Sequence, residues 1–236
     1  MHDDFNDLLM ALSEDDRARV AARLSRQDLA KGAMLHDPGN PIDYCYFPSG
    51  AAVASYRVVL ADGLAVETAT VGREGALGGV VSHGPIPAFA RSSVLQGGTF
   101  LRIALRDLDQ LKQGIPAVER LFDRYADCFM AQVLQSTACD AAHTIEQRVA
   151  RWLIAATWRS GSNKLVMTQE QMGELLGIGR TYASRVLQRF KDNDLIEIRR
   201  GRLIVIDQDA VRSAACGCNA AIASHYATVL GGIYPE

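Results

Sequence analysis

Residues 167–190, MTQEQMGELLGIGRTYASRVLQRF, hold two short helical patterns separated by Gly177-Ile178-Gly179. Helices this short are marginal alone in water, because nucleation costs more than one or two turns return. The segment must therefore cross its two helices on each other and bury the join in a larger domain. Thr168 stands before the first pattern and Gln171 three positions later. That is a capping box, in which the hydroxyl accepts from a free backbone N–H and the amide reaches back. Met172, Leu175 and Leu176 form the inner face, and Gly177 suits the left-handed conformation that stops a helix. In the second pattern Ala183, Val186, Leu187 and Phe190 make one apolar face at helical spacing. Thr181, Ser184, Arg185 and Gln188 hold the opposite positions, with Arg180 at the N-terminal end.

That polar face reads in two ways. It is either a solvated helix surface or one whose guanidinium, hydroxyl and amide groups match base edges in a major groove about 12 Å wide. The residues that follow favour the second. Ile196-Glu197-Ile198 and Leu203-Ile204-Val205-Ile206 flank Arg199-Arg200-Gly201-Arg202. This predicts a β-hairpin with arginines at its tip, a wing suited to phosphate contact. A basic wing directly after a helix-turn-helix is more specific than either part.

The 236-residue chain carries a formal charge of −2, which alone says nothing about nucleic acid. Its distribution says more: residues 145–213 hold 12 Lys/Arg against 8 Asp/Glu, so the surplus of acid lies elsewhere. No run approaches the roughly 18 apolar residues a membrane helix needs. Met1-His2-Asp3-Asp4 is acidic where a secretory signal would be basic, so a cytoplasmic location and no membrane partner are expected. The five cysteines, Cys45, Cys128, Cys139, Cys216 and Cys218, are odd in number and irregular in spacing, which is no disulfide framework. Only Cys216-Gly217-Cys218 is close-spaced. It reads as two thiols in a C-terminal tail, the alternative being a metal or redox site; with His225 the nearest further ligand along the chain, no metal site is assigned.

Residues 5–30 read as helices, with Leu8, Leu9, Leu12, Val20 and Leu24 as the apolar stripe and Ser13 as an N-cap. From Lys31 glycine and proline recur, and short β-rich runs lie between them: Val53–Leu60, Leu64–Val71, Arg91–Leu95 and Phe100–Leu105. Asp62-Gly63 is a hairpin turn signal. Many short strands at such spacing predict an antiparallel barrel or jelly roll. From Pro116, which suits a first helical turn, the turn residues vanish for over forty positions. Val118, Phe122, Tyr125, Phe129 and Val133 then form an aromatic stripe. It suits either packing on the β domain or pairing with its twin in a homodimer; its length and aromatic content favour the dimer interface. A second helix is expected over about 144–159, with Ile145, Val149, Trp152, Leu153 and Ala156 inward, ended by Ser160-Gly161-Ser162-Asn163. The fold class expected is α+β: an N-terminal antiparallel β-roll, a long dimerisation helix and a C-terminal winged helix-turn-helix. The domains are drawn at 1–115, 116–140 and 141–236.

The stretch MTQEQMGELLGIGRTYASRVLQRFKDNDLIEIRRGRLIVID resembles the DNA-binding domain of Crp/Fnr-type bacterial transcription regulators. VGREGALGGVVSHGPIPAFARSSVLQGGTFLRI looks like their cyclic-nucleotide-type roll, and the resemblance spans nearly the whole chain. It implies base-reading by Arg180, Thr181, Ser184 and Arg185 along a recognition helix at 180–190. Relatives commonly carry a glutamate where Thr181 stands, so the base preference at that step differs. It implies phosphate contacts by Thr168, Gln169 and Tyr182, beside the wing residues Arg199, Arg200 and Arg202. The effector positions it implies are Gly78, Gly79, Arg91 and Ser92. Arg91-Ser92 would hold a phosphate, but Gly78-Gly79-Val80 stands where a Gly-Glu pair holds a ribose, which argues against cyclic AMP. A different anionic effector or none is expected, and no cofactor is assigned. Arg91 reads equally as a strand arginine paired with a neighbouring acid. An N-terminal cysteine cluster for iron–sulfur is absent, and His36, His83 and Met34 read as structural rather than haem ligands.

The expected partners are double-stranded DNA, a second copy of the chain and RNA polymerase. The alternative is a ligand-binding module whose winged helix mediates protein contacts. An enzyme on a cupin-like barrel is disfavoured, since such chemistry needs two or three histidines and a glutamate on a metal, and the roll holds only His36 and His83 with no His-x-His pair.

Overall fold

The computed structural model describes residues 5–61, 63 and 65–231. The acidic residues 1–4, and Asp62 and Leu64 at the expected turn, lie outside the described residues. Two short helices open the chain, α1 (Asp7–Met10) and α2 (Glu14–Ala21). Asn6 caps the first: its Oδ1 accepts from Leu9 N–H at 3.2 Å, and its amide donates to Pro48 O and Gly75 O at 2.9 Å each. Ser13 caps the second, as its sequence position suggests. The helical reading fails beyond α2, because β1 (Ser25–Leu29) pairs along its whole length with a later strand. Ser-Arg-Gln-Asp-Leu has little strand preference of its own, so tertiary pairing decides its state.

Strands β2 (Met34–His36), β3 (Tyr44–Pro48), β4 (Val53–Val59), β5 (Ala65–Val71), β6 (Arg91–Gln96) and β7 (Gly98–Ala104) complete an antiparallel roll of two sheets, ordered β1-β7-β3 and β2-β6-β4-β5. Between β4 and β5, Gly63 holds φ 85° and donates to Leu60 O at 2.9 Å. Tyr46, Leu77, Val94 and Phe100 form one buried cluster of the roll. A larger one joins Phe47 and Ile103 to the helices that follow. The first of these, α3 (Leu105–Gly114), has no signal in the sequence reading above. Its Leu105, Leu108 and Leu111 continue an apolar strand without a turn residue, which hides the change of period. Its Lys112 ammonium is drawn inward, donating to Gly79 O at 2.7 Å and Val80 O at 3.1 Å.

Helix α4 (Pro116–Ala142) carries the long pattern, with proline in its first turn. Its aromatic side faces its own roll. Val118, Phe122 and Tyr125 are 0%, 1% and 1% exposed in the single chain. Phe122 meets Phe47 edge-on at 6.2 Å, and the Tyr125 hydroxyl donates to Ala76 O at 3.1 Å. Phe129 leans on Tyr56 at 5.5 Å, and Val133 is half-buried. Of the five residues expected at a dimer interface, Val118, Phe122 and Tyr125 are therefore corrected to core positions, because side chains without free surface cannot line a contact with another molecule. Phe129 and Val133 keep part of their surface. A different side of α4 is open, carrying Met130 and Leu134 at 55% and 64% exposure.

Helix α5 (Ile145–Ser160) follows, opened by a Thr144–Gln147 capping box and closed by Gly161 in the left-handed region. Val149, Trp152, Leu153 and Ala156 are buried, as their spacing implies. Next come β8 (Lys164–Leu165), α6 (Gln169–Leu176), α7 (Arg180–Asp192), β9 (Ile196–Arg199) and β10 (Arg202–Val205), the strands forming a sheet in the order β8-β10-β9. Residues 208–230 are not a loose tail. They form α8 (Gln208–Ala214) and α9 (Cys218–Leu230), and α9 lies back along α4. Ile222, Ala223 and Tyr226 of α9 enter the same core as Phe122 and Tyr125.

Candidate nucleic-acid interface

The crossing of α6 and α7 depends on two glycines. Gly177 ends α6 at φ 65°, a conformation that side chains with a Cβ resist. Gly173 lies inside α6, where a Cβ would stand 3.0 Å from Ile178 O and 3.4 Å from Ala183 Cβ. The second glycine was passed over in the sequence because it sits within a helical pattern; four-residue spacing from Gly177 was its only signal. Thr168 and Gln171 form the capping box, with Gln171 N–H to Thr168 Oγ1 and Thr168 N–H to Gln171 Oε1 both 3.1 Å. Ala183, Val186, Leu187 and Phe190 are buried beneath α7, which leaves its other face to solvent.

On that face Gln169, Arg180, Thr181, Ser184, Arg185 and Gln188 line one shallow depression. All four residues assigned to base-reading are thus brought together, with two glutamines added. Ser184 Oγ donates to Gln169 Oε1 at 2.8 Å, tying α7 to the start of α6. Arg180 makes only a loose, exposed pair with Glu170 at 3.9 Å. Arg185 has no ion pair or hydrogen bond among the described residues, so its fork of five donors is available. Of the phosphate positions, Thr168 and Tyr182 are exposed and Gln169 is half-buried. In the wing Gly201 turns at φ 71° and Arg202 pairs across with Arg199. Arg199 is held by Glu197 on its own strand at 2.7 Å, and this partner keeps the Glu197 carboxyl below the usual carboxylate range. Arg200 and Arg202 are exposed and have no partner among the described residues.

The positions assigned to an effector do not open onto a shared site. Ser92 is fully buried, its Oγ 2.7 Å from His36 Nδ1. The other ring nitrogen of His36 meets Tyr44 O at 2.9 Å, so both are engaged. Arg91 pairs with Asp37 at 2.9 Å, the second of its two sequence readings. Gly78 N–H donates to the Tyr56 hydroxyl at 3.1 Å, and a Cβ on Gly79 would collide with Leu105. Of the expected effector positions Gly78, Gly79, Arg91 and Ser92, internal partners engage Gly78 and Ser92, while the Arg91–Asp37 pair stays 39% and 42% exposed.

The winged domain docks on the roll through polar contacts that the sequence did not signal. Trp152 Nε1 donates to Glu67 Oε1 at 3.2 Å, and beside it Gln132 Nε2 of α4 donates to Thr70 O at 2.9 Å. Arg159 and Glu74 form a fully buried ion pair at 2.7 Å, with both Glu74 oxygens also 3.1 Å from Gly72 N–H. Glu67 is half-buried as a residue, but its Oε2 is buried and has no hydrogen-bond partner. Burial raises its pKa, against hydrogen bonds from Thr70 and Trp152. An acid with a raised folded pKa stabilises the fold at low pH, and that contribution is lost as pH rises through the folded value. Glu67→Gln keeps an acceptor for Trp152 and removes the charge. Calorimetry is expected to show a higher Tm for the variant near about pH 8 and a gain that shrinks toward about pH 5.

Comparison with known proteins adds three findings. Residues 147–214 match the family of Crp-like helix-turn-helix domains. No curated protein matches the chain. Among solved structures it is similar to FixK2 from Bradyrhizobium japonicum, at 16% identity and a TM-score of 0.68 over 82% of this chain and 98% of that one. It is similar to the c-di-GMP responsive global regulator CLP of Xanthomonas campestris, at 15% identity and 0.67 over 83% and 100%. A CRP-family transcriptional regulator from Thermus thermophilus aligns at 16% identity and 0.66 over 80% and 96%. At these identities the likeness establishes a shared fold.

Proposed function

We propose, on the premise that this chain is of Crp/Fnr type in its fold and in its Crp-like helix-turn-helix domain, that it works as a homodimeric transcription regulator reading a pseudo-palindromic DNA site. One observation carries the reading: six polar side chains converge on the outer face of α7, with the Arg185 guanidinium unengaged among the described residues. A buried inner face and a polar, solvent-facing outer one suit a helix that enters a groove N-terminus first. Arg185 supplies a bidentate contact to guanine, and Thr181 a hydroxyl and a methyl. Thr168, Tyr182, Arg200 and Arg202 hold phosphates beside it and fix register rather than sequence. The open side of α4, with Met130 and Leu134, is the surface left for a second copy. RNA polymerase is the further partner this role calls for. A controlling signal, where one acts, reaches the protein elsewhere than through Arg91 and Ser92.

The test is selection of bound duplexes from a random pool, followed by titration of the winner. Binding should weaken steeply as salt rises, because phosphate contacts release counterions. Arg185→Ala is expected to cost about 1–3 kcal/mol at the selected site and to relax its sequence preference there. Arg200→Ala is expected to weaken all duplexes alike and lower the salt slope by about one. Equal affinity of the Arg185 variant and the unmodified chain for the selected site would refute the assignment.

A further inference from the structure

Four soft ligands meet at the far end of α4. Cys139 and His143 lie one helical turn apart, at the last turn of α4 and its C-cap, so both project to one side. Cys216 precedes α9 and Cys218 is its first residue. Three Sγ atoms and an imidazole nitrogen lie within 4.8 Å of one another. Cys139 Sγ stands 3.5 Å from Cys216 Sγ, and Cys218 Sγ stands 3.6 Å from His143 Nδ1. The three cysteines form a buried cluster of their own, apart from the apolar cores.

These spacings discriminate between chemistries. A disulfide needs sulfurs about 2.05 Å apart. A tetrahedron with metal–sulfur bonds of about 2.3 Å and metal–nitrogen bonds of about 2.0 Å has edges of about 3.5–3.8 Å. The two closest contacts fall at that edge length. Three thiolates and an imidazole, with no position left for water, are the donor set of a closed structural zinc site. Further groups support the same role. Gln135 Nε2 donates to Cys218 Sγ at 3.2 Å, the kind of bond that steadies a ligating thiolate. Arg151 sets a positive charge beside Cys139, offsetting the single net negative charge of three thiolates around a divalent ion. Asn219, next to Cys218, donates to Arg151 O at 3.0 Å and holds this arrangement together.

We propose that Cys139, His143, Cys216 and Cys218 bind one zinc ion. The ion clasps the start of α9 to the end of α4, beside the His143-Thr144 joint where α5 departs. It thereby fixes how the winged domain leaves the long helix. The stretch around Cys216 and Cys218 holds only half of the site. The absent half was the Cys-x-x-x-His spacing of Cys139 and His143, itself a helical metal-ligand spacing.

The test uses the purified full chain, its metal content by mass spectrometry, and cobalt(II) as a spectroscopic probe after chelation. About one zinc per chain is expected, together with a tetrahedral, thiolate-ligated cobalt spectrum on refilling. Cys218→Ser and His143→Ala should each lower cobalt affinity by at least about 100-fold, and Gln135→Leu by about 10-fold. His225→Ala, which alters an exposed histidine outside the cluster, should change nothing. Circular dichroism separates lost binding from lost fold, and the refilled unmodified chain gives the spectrum with no substitution at all. An unreduced chain with a Cys139–Cys216 disulfide, iron with acid-labile sulfide, or an octahedral cobalt spectrum would each overturn the proposal. None of these readouts involves DNA, so failure here leaves the DNA-binding reading standing.

Discussion

Met130→Glu combined with Leu134→Glu is expected to leave a folded monomer whose affinity for a two-half-site duplex is lower by about 10²–10⁴-fold. The two side chains stand one turn apart on the open side of α4 and are 55% and 64% exposed. Exposed positions tolerate substitution within about 0.5 kcal/mol, so the isolated chain should keep its Tm. A pair of such helices, in contrast, would bury four carboxylates without partners, a cost that association cannot meet. Each winged domain then binds its half-site alone, and the second contact loses the effective concentration that a linked partner provides. Sedimentation velocity and a titration of whole and half operators check both parts. Phe122→Ala is the contrasting variant. It opens a cavity in the chain's own core and is expected to cost about 3–5 kcal/mol of stability while leaving the Met130 and Leu134 side of α4 intact. If instead the Phe122 variant dissociates and the Met130/Leu134 variant stays dimeric, the assignment of the two faces of α4 is reversed.

Arg159→Leu is expected to destabilise the chain by about 3–5 kcal/mol, because it strands the Glu74 carboxylate in the interior. Both side chains of the pair are nearly inaccessible, at 3% and 2% exposure. Gly72 N–H still donates to both Glu74 oxygens after the change, at 3.1 Å, but one backbone dipole does not replace a full positive charge. Glu74→Gln alone removes the carboxylate that faces the Arg159 guanidinium and should also destabilise the chain. The double variant Arg159→Leu with Glu74→Gln leaves no unpaired charge and should recover much of the loss, since a buried ion pair contributes little against neutral groups of similar size. Because Glu74 follows β5 and Arg159 ends α5, the single variants should also separate the unfolding of roll and winged domain. Urea denaturation followed by tryptophan fluorescence reports this directly, with Trp152 and Trp158 both on α5. Additive costs in the double variant would show that the two groups do not act as a pair.

The residues that carry the fold announce themselves unevenly. The capping box at Thr168, the stops at Gly161 and Gly177 and the wing turn at Gly201 all hold in the structure, because each is settled within about five residues by backbone hydrogen bonding and steric preference. The polar face of α7 was legible for the same reason. Helical spacing places Arg180, Thr181, Ser184 and Arg185 on one side whatever surrounds the helix. Where the reading failed, the deciding partner was remote. Leu105–Gly114 followed an apolar strand with no punctuation, and Ser25–Leu29 became a strand only by lying beside β7.

What the amino-acid order determined unaided is therefore the set of local elements and the chemistry each presents: a β-roll, a long amphipathic helix, and a winged helix-turn-helix with an arginine-bearing outer face. Tertiary structure alone decided which side of α4 is covered, since an aromatic stripe fits its own roll and a second copy equally well until the roll is in place. It also withdrew Arg91 and Ser92 into internal pairs, and it brought Cys139 to Cys216 across 77 positions. Short-range periodicity carries no information about such meetings. They are fixed by how whole layers pack, and the free energy that selects them is shared over the entire core.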